Sequence, residues 1–411
     1  MSIRQTLTSV TSLLAGMALL MLGNGALATM LSISMAEAGT AAWLIGVVMA
    51  QYYVGIVLGT TFSHKVIVSV GHIRAFATFG STMSAATLAH AFVADPWFWA
   101  VMRLTVGFCA VGMFMCSESW LSAKSTNETR GSVFALYQIT VYLFQGLSQF
   151  LVNLPDETGF TLYALLSVLM SLAIVPVAVT RVVAPPLPEN TRFNFVELWR
   201  ASPSGMTAAL ASGMILGAFY GVAPLFAQMT GLDRAGIAAF MSAVIIGGLV
   251  LQYPVGRFSD GRDRRVVMLA ICAGVLFTCF ALMGKDVYNG NGLLALGALF
   301  GGLAFTLYPL SVAYTNDFLT PDELVPMTGG LLMAYGSGAA LGPLGGSAAV
   351  QLIGPNGLFG FIGLITFVLA VVIVLRMRKR DAPSAEDQGN FQVMPRTSPV
   401  ASGMDPRTEA D

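Results

Sequence analysis

Two ionisable residues fall within one long apolar stretch of the sequence, residues 97–119. Arg103 lies near its start and Glu118 near its end, and no other charged residue separates them. A charge in apolar surroundings is costly, so such a residue is usually retained for function. We interpret Glu118 as a group that exchanges a proton or binds a cationic group. The alternative is a structural ion pair with Arg130 or another cation.

Arg103 and Glu118 cannot form a direct ion pair if this stretch is a helix. The fifteen residues from one to the other rise about 22 Å at 1.5 Å per residue. Arg103 is therefore expected near the opposite end of the helix. Its structural alternative there is hydrogen bonding to the carbonyl groups of a neighbouring loop.

A polar face is predicted within residues 131–153. Its four members are spaced so that they share one side of a helix: Gln138, Tyr142, Gln145 and Gln149. Amides and a phenol on such a face can hydrogen-bond a solute, although bonding between helices is the alternative. Weaker candidates for lining the same cavity are Asn24, Gln51, Tyr52, Tyr220, Gln252, Tyr308, Asn316 and Tyr335.

The composition indicates that lipid surrounds these residues. Of the 411 residues 55% are hydrophobic and 10% are charged, whereas a soluble domain has about 25% charged residues. Twelve apolar segments are long enough to cross a bilayer as helices, which takes roughly 20 residues, and too long and uniform for barrel strands. They are residues 8–33, 42–63, 75–94, 97–119, 131–153, 159–180, 205–228, 235–255, 266–284, 292–315, 325–350 and 357–375. We predict an all-α membrane protein with 12 transmembrane helices.

The distribution of cations predicts the orientation. Sixteen of the 21 Lys and Arg residues fall on the side of the N-terminus, which places both termini in the cytoplasm. Arg4, the apolar run 13–22 and Ala26-Leu27-Ala28 resemble a signal peptide with its cleavage site. Its removal would leave an odd number of spans and break the repeat described below, so we predict an uncleaved first helix. The formal net charge of zero gives no indication of nucleic acid. The spacing of the cysteines predicts neither a disulfide nor a metal site.

A charged loop and its weaker copy predict an internal repeat. Residues 256–265 carry six charges between two uncharged runs, and residues 64–73 hold the copy 192 residues earlier. The same shift places Gly55 on Gly247. Two pseudo-symmetric six-helix halves would enclose a cavity at their interface, an arrangement typical of transporters. The predicted domains are residues 1–181, a cytoplasmic linker 182–203, residues 204–376, and a disordered cytoplasmic tail 377–411.

Several of these residues resemble a known family. The charged loop, residues 256–265, resembles the loop signature of the major facilitator superfamily (MFS). Arg103-x-x-x-Gly107 resembles the family's Arg motif. Residues 216–221, 252–254 and 305–309 further resemble the uncharacterised YcaD-like bacterial permeases. The resemblance implies the MFS fold, a bacterial inner-membrane location, and a role of Arg103 in proton transfer or substrate binding. It also implies a cytoplasmic gate, for which the candidates are Gly256, Asp260, Arg264, Arg265, Gly71, Arg74 and Arg130.

The expected function is secondary active transport by alternating access, with proton-coupled export of a small amphiphilic or cationic compound. A motif resembling the Gly-Pro motif of antiporters falls at residues 338–346, in span eleven instead of span five. Proton-coupled uptake of a small metabolite is therefore the alternative, and a non-transporting membrane sensor is less favoured. The sequence has no nucleotide-binding loop, which argues against an ATP-driven pump. It also lacks the His-rich or paired-Asp core that an intramembrane hydrolase needs, so no enzymatic activity, catalytic residue, metal or cofactor is expected. The expected partners are a small-molecule substrate, protons and the bilayer, and the chain is expected to act as a monomer.

Overall fold

The predicted all-α architecture is confirmed. The computed structural model describes residues 3–125, 127–156, 159–179, 195–284, 291–379 and 388–400, and within these ranges it contains helices and no strand. The α-helices are α1 (Ile3–Glu37), α2 (Ala42–Val70), α3 (His72–Ala89), α4 (Pro96–Lys124), α5 (Asn127–Ser148), α6 (Thr161–Leu172), α7 (Ile174–Ala178), α8 (Phe195–Ala201), α9 (Pro203–Met229), α10 (Arg234–Phe258), α11 (Arg264–Leu282), α12 (Asn291–Ala304), α13 (Leu307–Asn316), α14 (Pro321–Ile353) and α15 (Gly357–Met377). A 3-10 helix, Gln149–Asn153, continues α5.

The helices account for the twelve predicted spans. Ten segments of the described residues are long and apolar enough to cross a membrane, and α3 and α5 are the two further helices at predicted spans. Two spans are divided, into α6 with α7 and into α12 with α13. Each second part has proline as its third residue, Pro176 in α7 and Pro309 in α13. Proline lacks a backbone N–H and clashes with the carbonyl four residues earlier, which interrupts each helix there.

Close helix contacts repeat between the two halves. A methyl group at Gly55 in α2 would lie 2.1 Å from the carbonyl oxygen of Leu104 in α4. At Gly247 in α10 it would lie 2.1 Å from the carbonyl oxygen of Ala298 in α12. Only glycine permits so close an approach of two backbones. Gly55 and Gly247 are the pair that the 192-residue shift relates, so the same packing recurs in both halves.

The two halves meet where α1 and α2 pack on α9, where α2 also packs on α14, and where α5 and the 3-10 helix that follows it pack on α10. The end of the bundle at which α1 begins and α15 ends is called the terminal side here, and the other end the opposite side. On the opposite side α4 and α10 begin directly after Asp95 and Asp233. The side chain of each accepts a backbone hydrogen bond at 2.8 Å, which caps the helix.

The predicted linker contains a helix, and part of the predicted disordered tail is packed inside the protein. Within the predicted linker 182–203, residues 195–201 form α8, and the residues up to 194 lie outside the described part. The polar composition predicts a disordered tail, but residues 388–400 lie between the two halves. They bury Phe391, Met394 and Val400, so this segment contributes apolar side chains to the interior. Residues 380–387 and 401–411 are outside the described part.

Candidate functional site

A cavity of about 140 Å³ lies between the two halves. Its wall is formed by α1, α2, α4 and α5 from the first half, by α9 and α14 from the second, and by Arg396 and Thr397 of the tail. The wall combines apolar side chains with polar residues that the sequence analysis had placed there: Asn24, Tyr52, Gln138, Tyr142, Gln145, Tyr220 and Tyr335. Tyr53 also lines it and was not among the predicted residues. The cavity is therefore largely aromatic and amide-rich.

Contacts on the opposite side join the halves beyond this cavity. Arg234 Nη2 lies 3.0 Å from Glu37 Oε2. The backbone N–H of Ala42 donates to Oε1 of Gln351 at 3.1 Å. Close packing of α2 on α14 accompanies these bonds, since a methyl group at Gly46 would lie 2.5 Å from the Pro343 carbonyl oxygen. The halves are thus held together at this end.

Arg103 places a buried cation at the cavity wall. Its side chain is 3% exposed, and its guanidinium carbon lies 4.5 Å from the centroid of the Tyr52 ring. Asn24 Nδ2 donates to the Tyr52 hydroxyl at 3.2 Å, which orients the ring. Among the described residues, Arg103 Nε has no hydrogen-bond partner. Arg103 therefore keeps one unpaired, buried donor at the cavity wall.

Glu118 is completely buried, and its described partners are all hydroxyl groups. Tyr137 of α5 donates to its Oε1 at 2.8 Å. The hydroxyls of Thr397 and Ser398 in the tail segment donate to its two oxygens. In the described part of the chain no cation pairs with Glu118; the side chain of Arg130, the pair considered from the sequence, lies outside it. Neutral donors leave this carboxyl group available to a proton or to a cation.

The remaining polar candidates do not line the cavity in this structure. Gln149 bonds helices to each other, since its Oε1 accepts from Thr29 at 2.6 Å and its Nε2 donates to the Gly25 carbonyl oxygen at 2.9 Å. Tyr308 lies behind Tyr335, with ring centroids 5.0 Å apart. The others that lie off the wall are Gln51, which bonds within its own helix, and the buried amides Gln252 and Asn316.

On the terminal side, Arg264 is the centre of a buried polar network. Its Nε lies 2.8 Å from Oδ2 of Asp317, and both side chains are 1% exposed. Its Nη1 donates to Ser259 at 2.9 Å, and its Nη2 donates to the carbonyl oxygen of Gly389 in the tail. Asp260 lies 3.6 Å from Arg264 and accepts a hydrogen bond from the tail as well. This network joins α11, α13 and the tail segment.

Among the described residues, no hydrogen bond or ion pair joins the side chain of Arg264 to the other gate candidates. Arg265 pairs with Asp263 at 2.9 Å, and the N-terminus of α11 is thereby anchored. Gly71 connects α2 to α3 with φ of 84°, a conformation that favours glycine. Arg74 is exposed, and Gly256 lies against the ring of Phe391. The structure therefore concentrates the network in the second half.

Comparison with known proteins places this architecture. The sequence profile of the Major Facilitator Superfamily matches residues 13–284 and 205–403. An uncharacterized MFS-type transporter of Enterobacter sp. (strain 638) is 27% identical over 382 residues, covering 92% of this chain and 98% of that protein. The uncharacterized MFS-type transporter YcaD of Escherichia fergusonii is 26% identical over 378 residues, with the same coverage of 92% and 98%.

Solved structures show the same fold. A point mutant of the nucleoside transporter NupG superimposes with a TM-score of 0.74 at 14% identity, covering 90% of this chain and 99% of that one. A bacterial homolog of the human lysosomal transporter Spinster, inward-facing and unoccupied, gives a TM-score of 0.69 at 10% identity, covering 95% and 99%. Two six-helix halves around a central cavity, together with these matches, place the chain in the Major Facilitator Superfamily of membrane transporters.

Proposed function

We propose that this chain is a proton-coupled secondary transporter that exports a small amphiphilic or cationic compound, with both termini in the cytoplasm. The observation that carries the proposal is the cavity between the halves. Contacts between the halves, such as the ion pair of Arg234 with Glu37, close the cavity on the opposite side. A buried carboxyl group, Glu118, lies near the terminal side of the cavity, and its described partners are all hydroxyl groups. In this orientation the terminal side faces the cytoplasm, where an exported compound enters.

The lining of the cavity supports a cationic or amphiphilic substrate. The rings of Tyr142 and Tyr335 offer aromatic faces that attract an organic cation. Arg103 is the one cation that the helices contribute to the described wall. A polyanionic substrate would need several such cations. The amides of Gln138 and Gln145 add neutral hydrogen-bonding groups that suit the polar part of an amphiphile.

Glu118 supports the coupling to protons. A buried carboxyl group whose described partners are all neutral hydroxyls cannot easily hold a charge without a counter-ion. It is neutral when protonated, and when ionised it can be balanced by a cationic substrate. Because the two states exclude each other, binding of the cation releases a proton, and the exchange of the two gives export by antiport.

Proton movement in liposomes tests this proposal. The purified full chain is reconstituted with a pH-sensitive dye inside, and benzamidinium is added outside. Antiport predicts that the interior becomes alkaline, because each cation that enters drives a proton out. Acidification would indicate symport of the cation with protons instead. No change beyond that of empty liposomes with benzamidinium, ethidium or other organic monocations would refute the proposed export of a cation.

A further inference from the structure

Residues 388–400 run from the terminal side into the space between the halves. Gly389 is held at the entrance, where its N–H donates to Asp317 Oδ1 at 3.2 Å and its carbonyl oxygen accepts from Arg264. The N–H of Phe391 then donates to Asp260 Oδ1 at 2.8 Å. The Phe391 ring fills the space beside Gly256, where an added methyl group would lie 2.0 Å from it. These contacts fix the segment to the second half.

Arg396 of this segment lies inside a box of aromatic rings at the cavity. Its guanidinium carbon is 4.6 Å from the centroid of Phe305, 5.6 Å from that of Tyr142 and 5.8 Å from that of Tyr335. It also donates to the Tyr142 hydroxyl, whereas its Nη1 is buried without a hydrogen-bond partner among the described residues. No carboxylate of the described residues pairs with it. A delocalised cation held by ring faces is the arrangement that proteins use for organic cations.

The segment also contacts the first half. Thr397 and Ser398 donate to Glu118, so the same carboxyl group to which we assign proton coupling accepts hydrogen bonds from the tail. Phe305 and Tyr335 belong to the second half, and Glu118 and Tyr142 to the first. The tail is therefore interposed between surfaces that alternating access has to bring together on this side.

We propose that Tyr142, Phe305 and Tyr335 form a subsite for an amidinium, guanidinium or similar delocalised organic cation, and that residues 388–400 are an intramolecular competitor whose Arg396 fills it. This inference rests on the proposed transport function and specifies its substrate class. A cation that enters displaces Arg396 from the box and the hydroxyls of the tail from Glu118. While the tail is in place, the terminal side cannot close.

Attachment to the same chain makes this competition strong. A tethered segment acts at an effective concentration on the order of millimolar, so a free cation of equal intrinsic affinity has to reach about that concentration to displace it. The apparent dissociation constant of the cation is its intrinsic value divided by the fraction of molecules whose subsite is free. Removing the Arg396 side chain is expected to increase that fraction about tenfold, since the segment then loses its contacts with three rings.

Cysteine labelling of the full chain measures whether the segment occupies the cavity. Met394→Cys replaces a side chain that is 3% exposed, whereas Lys379→Cys lies at the exposed end of α15. The four native cysteines are buried, which limits background labelling. With a hydrophilic maleimide, Cys at position 394 should react at least about tenfold more slowly than Cys at position 379. Benzamidinium or Arg396→Ala should accelerate labelling at 394 about tenfold.

Arg378→Ala is the matched control, because it removes the same charge from an exposed position next to α15. It should leave labelling at position 394 unchanged. Equal rates at 394 and 379, or a rate at 394 that neither benzamidinium nor Arg396→Ala alters, would overturn the proposal.

A synthetic peptide of residues 388–400 gives a second measurement that needs no cysteine. It should bind the full chain carrying Arg396→Ala at least about tenfold more tightly than the unmodified chain, whose own segment competes. The peptide with alanine in place of arginine keeps the contacts of Gly389 and Phe391, so it should bind the Arg396→Ala chain about tenfold more weakly than the unmodified peptide does. Equal binding of both peptides would contradict the subsite. Neither the labelling nor the peptide binding requires transport, so the subsite stands if both succeed while the liposome assay shows no transport. Transport of benzamidinium at a rate that Arg396→Ala does not change would contradict the competing tail and leave the proposed function intact.

Discussion

The buried ion pair between Arg264 and Asp317 makes a quantitative prediction about the terminal side. Arg264→Ala removes the partner of a carboxylate that is 1% exposed and lies 2.8 Å from the guanidinium. Breaking a buried pair costs about 3–5 kcal/mol, since it leaves an uncompensated charge. Asp317 would still accept the N–H of Gly389, so we expect the lower end, about 3 kcal/mol. That lowers the folding equilibrium constant roughly a hundredfold.

Equilibrium unfolding in mixed micelles of dodecyl maltoside and SDS measures this free energy. The matched control is Arg257→Ala, whose side chain is 56% exposed and 3.9 Å from Asp260. Such exposed pairs contribute about 0–1 kcal/mol, so the control should lose little stability. Asp317→Asn combined with Arg264→Ala should cost clearly less than the sum of the two single changes, because the stranded charge is then absent. A loss below about 1 kcal/mol for Arg264→Ala, or additive losses in the double variant, would refute the reasoning.

Three further outcomes follow from the packing and the topology. A methyl group at Gly107 would lie 1.9 Å from a carbonyl oxygen of α2, so Gly107→Ala should lower the free energy of unfolding by about 1–3 kcal/mol in the same assay. The control is Gly131→Ala, which should be neutral or stabilising because the added methyl group meets nothing within 4 Å. Arg234→Ala breaks an ion pair whose side chains are 47% and 45% exposed and should cost less than about 1 kcal/mol. It should nevertheless increase maleimide labelling of a cysteine placed at position 42, because the opposite side then opens more often. Lys379→Cys should react with an impermeant maleimide in inverted membrane vesicles and not in intact cells; the reverse pattern would contradict the proposed orientation.

The helices and the repeat could be predicted because their signals are local or periodic. Long uncharged runs fix the spans in a membrane. Gly55 and Gly247, related by the 192-residue shift, do make equivalent contacts. The polar face of α5 was also predictable, since spacing alone puts Gln138, Tyr142 and Gln145 on the cavity wall.

The sequence did not predict what depends on contacts between distant segments. Asp317 follows directly after α13, and nothing local indicates that it pairs with Arg264, 53 residues away. The tail has the polar composition of a disordered segment, and its place between the halves depends on partners more than 70 residues away, such as Asp317 and Asp260. Gln149 shares the spacing of the polar face but lies in the 3-10 helix that follows α5, where it bonds to α1. The sequence does mark Asp317 as the first charged residue after the uncharged run 291–316, although it does not indicate its partner.

Accumulation of a cation under an imposed pH gradient tests proton coupling through Glu118 most directly, because it distinguishes uptake driven by protons from exchange of the cation without a gradient. Liposomes containing the full chain are given an acidic interior, and uptake of labelled benzamidinium is compared with its exchange when no gradient is present. Glu118→Gln keeps an acceptor for the Tyr137 hydroxyl but cannot ionise. Asp95→Asn is the control, since it changes an exposed carboxylate of the same helix α4 and retains a helix cap.

We expect the unmodified chain and Asp95→Asn to concentrate benzamidinium in the acidic interior. Glu118→Gln should lose accumulation while retaining exchange, because its cavity can still move the cation between the two sides. Accumulation by Glu118→Gln at the rate of the unmodified chain would contradict the assignment of proton coupling to this carboxyl group.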